Sequence, residues 1–345
     1  MNPEQAFNAL SRNISHKRRD CLEKTISQDA AFSYRYAVNV IEGRFELGEE
    51  GICQSAAYSF FYALHVIQGR WEPGEAAVCK DPECAFDYAK NVIGGRWELG
   101  EEAISKNAEC ALDYAKDVIG GRWELGEEAI SKNAECAYDY AEDVIRGRWE
   151  PGEAVISKDP VRAVDYAEEV ICGRWEPGEA VICQDIECSL KYARDVLRRR
   201  FKLGEPAICQ DPEAAYAYAR SVRKGRWKLG EAAICSDAQQ AYKYALNVIG
   251  GRFQLGEAAI SKSEQYAFLY AKHVIRENWT RKLAMMCPCW LYIYAEDVIK
   301  GRLPTRLHNL MITFGMIDNS DKYVKKYCGS KKYYVGKDGV LIVPY

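Results

Sequence analysis

Arg44, Arg70, Arg96, Arg122, Arg148, Arg174, Arg200, Arg226 and Arg252 stand 26 residues apart, and a glutamate recurs beside them at Glu49, Glu75, Glu101, Glu127, Glu153, Glu179, Glu205, Glu231 and Glu257. Two chemistries suit a guanidinium and a carboxylate repeated nine times. A row of arginines could read phosphates, one per repeat, as helical-repeat RNA binders do. Alternatively, Arg96, Arg122, Arg148 and Arg174 pair with Glu101, Glu127, Glu153 and Glu179 in a ladder knitting neighbouring turns. Each guanidinium would then lie against Trp97, Trp123, Trp149 or Trp175. Recurrence in every copy favours the ladder. Groups that tell one ligand position from the next should vary, whereas groups that hold repeats together should not.

Catalysis needs unlike residues converging once, and the usual sets are absent. There is no glycine-rich phosphate loop after a strand, no G-x-S-x-G, no H-E-x-x-H and no histidine near a nucleophile. A carboxylate pair present in every repeat is not a unique acid–base dyad. The expectation is a protein that is not an enzyme and uses neither metal nor cofactor. The four histidines are scattered, and Cys287-Pro288-Cys289 lacks the second pair of a zinc finger. That pair is a candidate ligand or redox site, with a packing role as the simpler reading.

The fourteen cysteines mostly follow the repeat. Cys53, Cys79, Cys183, Cys209 and Cys235 hold a place filled elsewhere by Ser105, Ser131, Ser157 and Ser261. Cys84, Cys110, Cys136 and Cys188 give way to Arg162 and Ala214. Half a disulfide ladder would be unpaired, so the cysteines read as free thiols that fill space in a reducing compartment.

The hydrophilic residues that change from copy to copy flank a recurring Tyr-Ala pair. They read Asp87/Lys90/Asn91, Asp113/Lys116/Asp117, Asp139/Glu142/Asp143 and Asp165/Glu168/Glu169, then Lys191/Arg194/Asp195, Ala217/Arg220/Ser221 and Lys243/Leu246/Asn247. On a helix they share the face opposite the apolar stripe, which is either a binding face or simply the wet one. The net charge of −3 hides a strong asymmetry. Residues 98–188 hold 23 acidic against 9 basic side chains, residues 189–232 hold 5 against 11, and residues 270–345 hold 6 against 13. The acidic candidates for binding are Asp113, Asp117, Asp139, Glu142, Asp143, Asp165, Glu168 and Glu169. The basic ones are Arg194, Arg198, Arg199, Arg200, Arg220, Arg223 and Lys224. Acidic residues in such a block can imitate nucleic acid, and the basic block can touch phosphate with tyrosine and tryptophan nearby for stacking.

These residues need elements to position them. An aromatic follows every recurring arginine, and Tyr36, Tyr62, Tyr88, Tyr114, Tyr140, Tyr166, Tyr192, Tyr218 and Tyr244 precede the arginines by eight residues. A fixed period of this size marks a solenoid array. Asp81-Pro82 reads as a helix start. Ala85, Tyr88, Ala89, Val92 and Ile93 form one apolar stripe at helical spacing, and Gly94-Gly95 ends it. A short second helix then runs from "ELGE" or "EPGE" to Ile104, with Pro73, Pro151 and Pro177 suited to its first turn. The expectation is an all-α fold, an α-solenoid of about eleven helix pairs. Residues 1–28 read as a degenerate N-terminal capping repeat and 29–279 as the array. Residues 280–330 read as a divergent last repeat with a helical cap. The tail 331–345 reads as a β-hairpin turning at Lys337-Asp338-Gly339 and closing off the last helices.

The run "YAKDVIGGRWELGEEAISKNAECAYDYAEDVI" resembles a family of repeat proteins encoded mainly by tailed bacteriophages, whose repeats read much like D-P-x-x-A-x-x-Y-A-x-x-V-I-x-G-R-W-x-x-x-E-x-x-I. The likeness covers residues 29–279 well, 280–303 weakly and the C-terminal stretch not at all. Many such relatives carry "PEAE" where this chain has "ELGE" or "EPGE". The resemblance implies a viral origin and action in the cytoplasm of an infected bacterium, and it implies no activity.

No apolar run reaches the roughly 18 residues of a membrane span, so no membrane role is expected. The leading expectation is a non-catalytic scaffold whose elongated charged surface grips a host or phage protein, for instance to block a host defence or a nucleic-acid enzyme. A nucleic-acid binder using the basic half is the alternative. A structural protein that self-assembles end to end is a third reading.

Overall fold

A computed structural model describes residues 2–10, 16–275, 287–301, 303, 305–317, 322–330, 334–335 and 341–342. The repeat at 81–106 shows how the sequence makes each helix pair. Asp81 lies in extended backbone and its carboxylate accepts the Cys84 N–H at 2.8 Å, satisfying one orphan donor while Pro82 fixes the first turn. Asp29, Ser55, Asn107, Asn133, Asp159, Asp185, Asp211, Asp237 and Ser263 cap their helices in the same way.

The first helix is α-helical over Pro82–Tyr88 and then opens into a π-helix over Ala89–Ile93. The same switch recurs from Ala37–Ile41 to Ala295–Ile299. It alters the expected stripe: Ala85, Tyr88 and Ala89 are buried, but Val92 and Ile93 are only half-buried. A turn closed over five residues advances each one through a smaller angle than the α-helical 100°, so the last two positions drift off the packed face.

Among the described residues a left-handed residue follows ten of the first helices. Gly94, Gly120 and Gly250 take this place, yet so do Glu42, Gln68, Arg146, Cys172, Arg198, Lys224 and Lys300, with φ between 50° and 56°. An L-residue there costs about 1–2 kcal/mol, and glycine's greater freedom in the unfolded chain offsets part of that. Arg146→Gly is therefore expected to raise stability by about 0.5–1 kcal/mol, seen as a higher urea midpoint.

Trp97 leads into the second helix, Glu98–Ile104. Copies with Pro73 or Pro151 are α-helical from Glu72 and Glu150 onward, whereas Glu46–Gly48 and Glu124–Gly126 first make a tighter 3-10 turn. The glycine of this motif has a steric cause. A Cβ on Gly100 would lie 2.4 Å from the Trp97 ring and 3.4 Å from the Ala85 methyl. Its absence lets the indole close down between the two helices.

The chain divides into two compact bodies. In the N-terminal body, Met1–Val181, Pro3–Leu10 packs on His16–Ile26, and the first helices capped at Asp29, Ser55, Asp81, Asn107, Asn133 and Asp159 follow side by side. The C-terminal body, Ile182–Tyr345, stacks the helices capped at Asp185, Asp211, Asp237 and Ser263. It then adds Pro288–Tyr294, Thr305–Ile317 and Lys322–Ser330. Both bodies are stacks of helix pairs, and the fold is the α-solenoid that the period predicts. Tyr334–Val335 and Leu341–Ile342 pair antiparallel, Tyr334 opposite Ile342. The turn expected at Lys337-Asp338-Gly339 lies outside the described residues, as does residue 279, where the array was expected to end.

Candidate functional site

The recurring arginine, glutamate and tyrosine meet in one cluster per repeat. Arg96 Nε and Nη2 donate to the two oxygens of Glu101 at 2.7 and 3.2 Å, a bidentate fork. The hydroxyl of Tyr114, from the next repeat, donates to Glu101 Oε1 at 3.2 Å and accepts the Trp97 backbone N–H at 2.9 Å. The same cluster joins Arg122, Glu127, Tyr140 and Trp123, and Arg148, Glu153, Tyr166 and Trp149. Arg174 forks Glu179 likewise. In the C-terminal body it joins Arg200, Glu205, Tyr218 and Phe201, and Arg226, Glu231, Tyr244 and Trp227.

This corrects one feature of the expected ladder. Each Arg–Glu fork closes inside its own repeat, because the aromatic turn brings the two side chains together there. The tyrosine hydroxyl is what crosses to the neighbour. Lysines and arginines do lie over rings, but at other places: Lys90 over Phe86, Arg162 over Tyr138 and Lys243 over Tyr216.

The ends continue the pattern with substitutes. Tyr36 donates to Glu23 at 2.7 Å, so His16–Ile26 supplies the first carboxylate. At the other end Tyr327 accepts the Leu303 N–H at 3.2 Å and bonds His308 Nδ1 at 2.9 Å, histidine taking the place of glutamate. Sequence reasoning missed this closure, since Tyr327 follows Leu303 by 24 residues rather than the 17 that separate Trp97 from Tyr114. The indole N–H groups of Trp71, Trp97, Trp149 and Trp227 are buried without an acceptor. The ring therefore serves by its area, which is why Phe45, Phe201 and Phe253 can replace it.

Burial pushes the hydroxyls of Tyr114, Tyr140 and Tyr166 up to about 12, against an ordinary value of about 10. The folded state disfavours the phenolate, so this stabilisation is whole below pH ~10 and disappears as pH climbs through about 12. An alkaline titration should show tyrosinate absorbance rising together with loss of helical circular dichroism in that window. Phenolates forming at pH ~10 with the helices intact would contradict it.

Among the described residues no disulfide joins the cysteines. Cysteine and serine are not interchangeable fillers, as the sequence suggested. The Cys53 and Cys79 thiols donate across to the Pro73 and Leu99 carbonyls of the next repeat at 3.2 Å. The Ser105 and Ser131 hydroxyls instead turn back to the Glu102 and Glu128 carbonyls. Burial pushes Cys84 and Cys110 up to about 12 and Cys136 to about 11, while Cys21 and Cys172 are exposed. An aromatic disulfide reagent at neutral pH should label Cys21 and Cys172 promptly, and Cys84, Cys110 and Cys136 only after denaturation. The sulfurs of Cys287 and Cys289 lie 2.7 Å apart, and burial pushes Cys287 up to about 11. No group of three or more metal-ligating side chains occurs among the described residues, and none of their helices is long and apolar enough to cross a membrane.

The varying residues lie on the π-turn side of the first helices. Asp113, Asp117, Glu142, Asp143 and Glu169 are exposed, and Asp139, Asp165 and Glu168 are half-buried. Lys90 reaches Asp117 of the next repeat at 2.7 Å, and Lys116 reaches Asp143 at 2.6 Å. Partial burial raises Asp113 and Asp139 above the usual carboxylate range, and the charge of Asp117 adds to this at Asp113.

The basic candidates divide. Arg200 forks Glu205 as the other recurring arginines do, with its side chain 42% exposed. Arg194 pairs with Asp195 at 2.7 Å, Arg198 donates to the Asp195 carbonyl at 3.3 Å, and Arg220 reaches the Tyr216 hydroxyl at 3.3 Å. Arg199, Arg223 and Lys224 are exposed. The tyrosines and tryptophans of the repeat are buried and cannot stack on bases, which removes the aromatic part of the nucleic-acid reading.

Fold and surface together define a helical repeat protein whose constant arginines fork nearly buried glutamates and whose changing residues lie on the first helices. No protein-family model matches the chain, and no curated protein or solved structure matches it.

Proposed function

We propose that this chain is a non-catalytic scaffold that binds a protein partner through the changing face of its first helices, the acidic stretch of the N-terminal body meeting a basic surface. One observation carries this reading. The guanidinium and carboxylate of each repeat fork one another, whereas Asp113, Asp117, Glu142, Asp143 and Glu169 lie on an exposed face whose positions carry other residue types further along the chain. Specific recognition needs residues that vary along an otherwise regular support. The resemblance to phage repeats supports a partner met inside an infected bacterium, of host or viral origin.

Capture from bacterial lysate tests it. The chain should retain one protein, and Asp117→Lys with Asp143→Lys should release it while Arg198→Glu with Arg199→Glu should not. Arg200 is left intact in the control because reversing it would break the fork to Glu205. Retention unaffected by the acidic reversal would refute the reading. A second reading, phosphate binding in the C-terminal body, is favoured by exposed Arg199, Arg223 and Lys224. It requires a nucleic-acid gel shift that collapses as salt rises.

A further inference from the structure

We infer that the acidic face of the N-terminal body docks on the basic face of the C-terminal body of a second copy of this chain. The inference rests on the scaffold reading of that face and names one occupant for it.

Charge is the first observation. The N-terminal body carries 34 acidic and 20 basic side chains, a net of −14, and the C-terminal body 16 and 27, a net of +11. The sign therefore changes where one compact body gives way to the other. Opposite fields of this size favour association and set its orientation.

The second observation is an ion-pair ladder with complementary gaps. Lys90 bonds Asp117 and Lys116 bonds Asp143, a lysine two residues after one tyrosine reaching an aspartate three residues after the next. Lys272 bonds Asp297 in the same manner. At Glu142 and Glu168 a carboxylate occupies the lysine place, so Glu169 has no lysine in the preceding repeat to meet. In the C-terminal body the gap has the opposite sign. Arg194 and Arg220 keep the cation, but Ser221 and Asn247 stand where the aspartate should be. Arg194 turns to its neighbour Asp195, and Arg220 to the Tyr216 hydroxyl.

Spacing is the third. Both faces are built from one 26-residue helix pair, so Glu142 and Glu168 on one, and Arg194 and Arg220 on the other, recur at the same interval along their stacks. A second copy matches that interval without adjustment, whereas an unrelated partner would have to match it by chance.

Sedimentation of the full chain between about 0.01 and 1 M salt tests this, since the screening length falls from about 30 Å to about 3 Å across that range. The wild type should be associated at low salt and monomeric at high salt. Glu142→Lys with Glu169→Lys, and separately Arg194→Glu with Arg220→Glu, should each weaken association at least about tenfold. Circular dichroism should show both variants folded. Mixing the two in equal proportion should restore association, because one then carries cations at both pairs of positions and the other acids at both. A wild type monomeric throughout, variants that associate undiminished, or association abolished by nuclease (bridging by nucleic acid) would each overturn the inference. If the wild type is monomeric but partner capture still depends on Asp117 and Asp143, the scaffold reading survives and only the second copy is eliminated.

Discussion

Gly126→Ala is expected to lower the stability of the chain by about 3 kcal/mol, at the upper end of overpacking. The added methyl would sit 2.5 Å from Trp123 Cε3, 2.7 Å from Cζ3 and 2.9 Å from the Ala111 Cβ. The ring cannot swing away, since Trp123 is 5% exposed and packs on Tyr114 at 4.8 Å between centroids. Either the indole or the second helix must move, and both lie at a contact between repeats. Gly121→Ala is the control, because nothing lies within 4 Å of a Cβ there. Urea unfolding followed by circular dichroism gives the measurement. If the mechanism is ring collision, Trp123→Leu in the Gly126→Ala background should recover part of the loss. An undiminished loss would place the cause elsewhere.

The second large effect belongs to the carboxylate of the fork. Glu127→Ala is expected to cost about 3 kcal/mol, from two charge-assisted bonds and the acceptor of a buried hydroxyl. The glutamate is the vulnerable member: its side chain is 14% exposed, against 58% for Arg122, which can fall back on water. Tyr140→Phe should cost about 2 kcal/mol, because it leaves the buried Trp123 N–H without an acceptor. The two sites touch through a 3.2 Å bond, so a double-mutant cycle should show coupling. Losses that add within about 0.3–0.5 kcal/mol would mean that the hydroxyl and the carboxylate act independently.

Much of this was legible in the sequence, and the reasons are local. Asp81-Pro82 announces a capped helix, and the 26-residue recurrence of Arg96 and Glu101 announces a pair that every copy needs. What stayed hidden depends on relations that periodicity does not encode. The π turn at Ala89–Ile93 is a matter of hydrogen-bond register, and Ala, Lys, Asn, Val and Ile would suit an ordinary α-helix equally well. Gly100 looked like part of a helix-start motif until the Trp97 ring was seen to fill the place of its missing Cβ. The partition of the basic candidates needed coordinates too, because Arg199 and Arg200 are neighbours in the chain yet only Arg200 is held by a glutamate.

The tyrosine that reaches back to the preceding fork makes the array directional and dictates how its length can change. Glu101 accepts from Tyr114 thirteen positions downstream, and the Trp97 backbone N–H meets that same Tyr seventeen positions downstream, a spacing that recurs at Glu127, Trp123 and Tyr140. Excising residues 114–139 would bring Tyr140 into the register of Tyr114, so Trp97 and Glu101 would meet an identical hydroxyl. Losing any other number of residues would strand both. Such a gene can lengthen or shorten by recombination between its own near-identical copies, one whole module at a time, while Glu23 at the start and Tyr327 with His308 at the finish stay as fixed terminators.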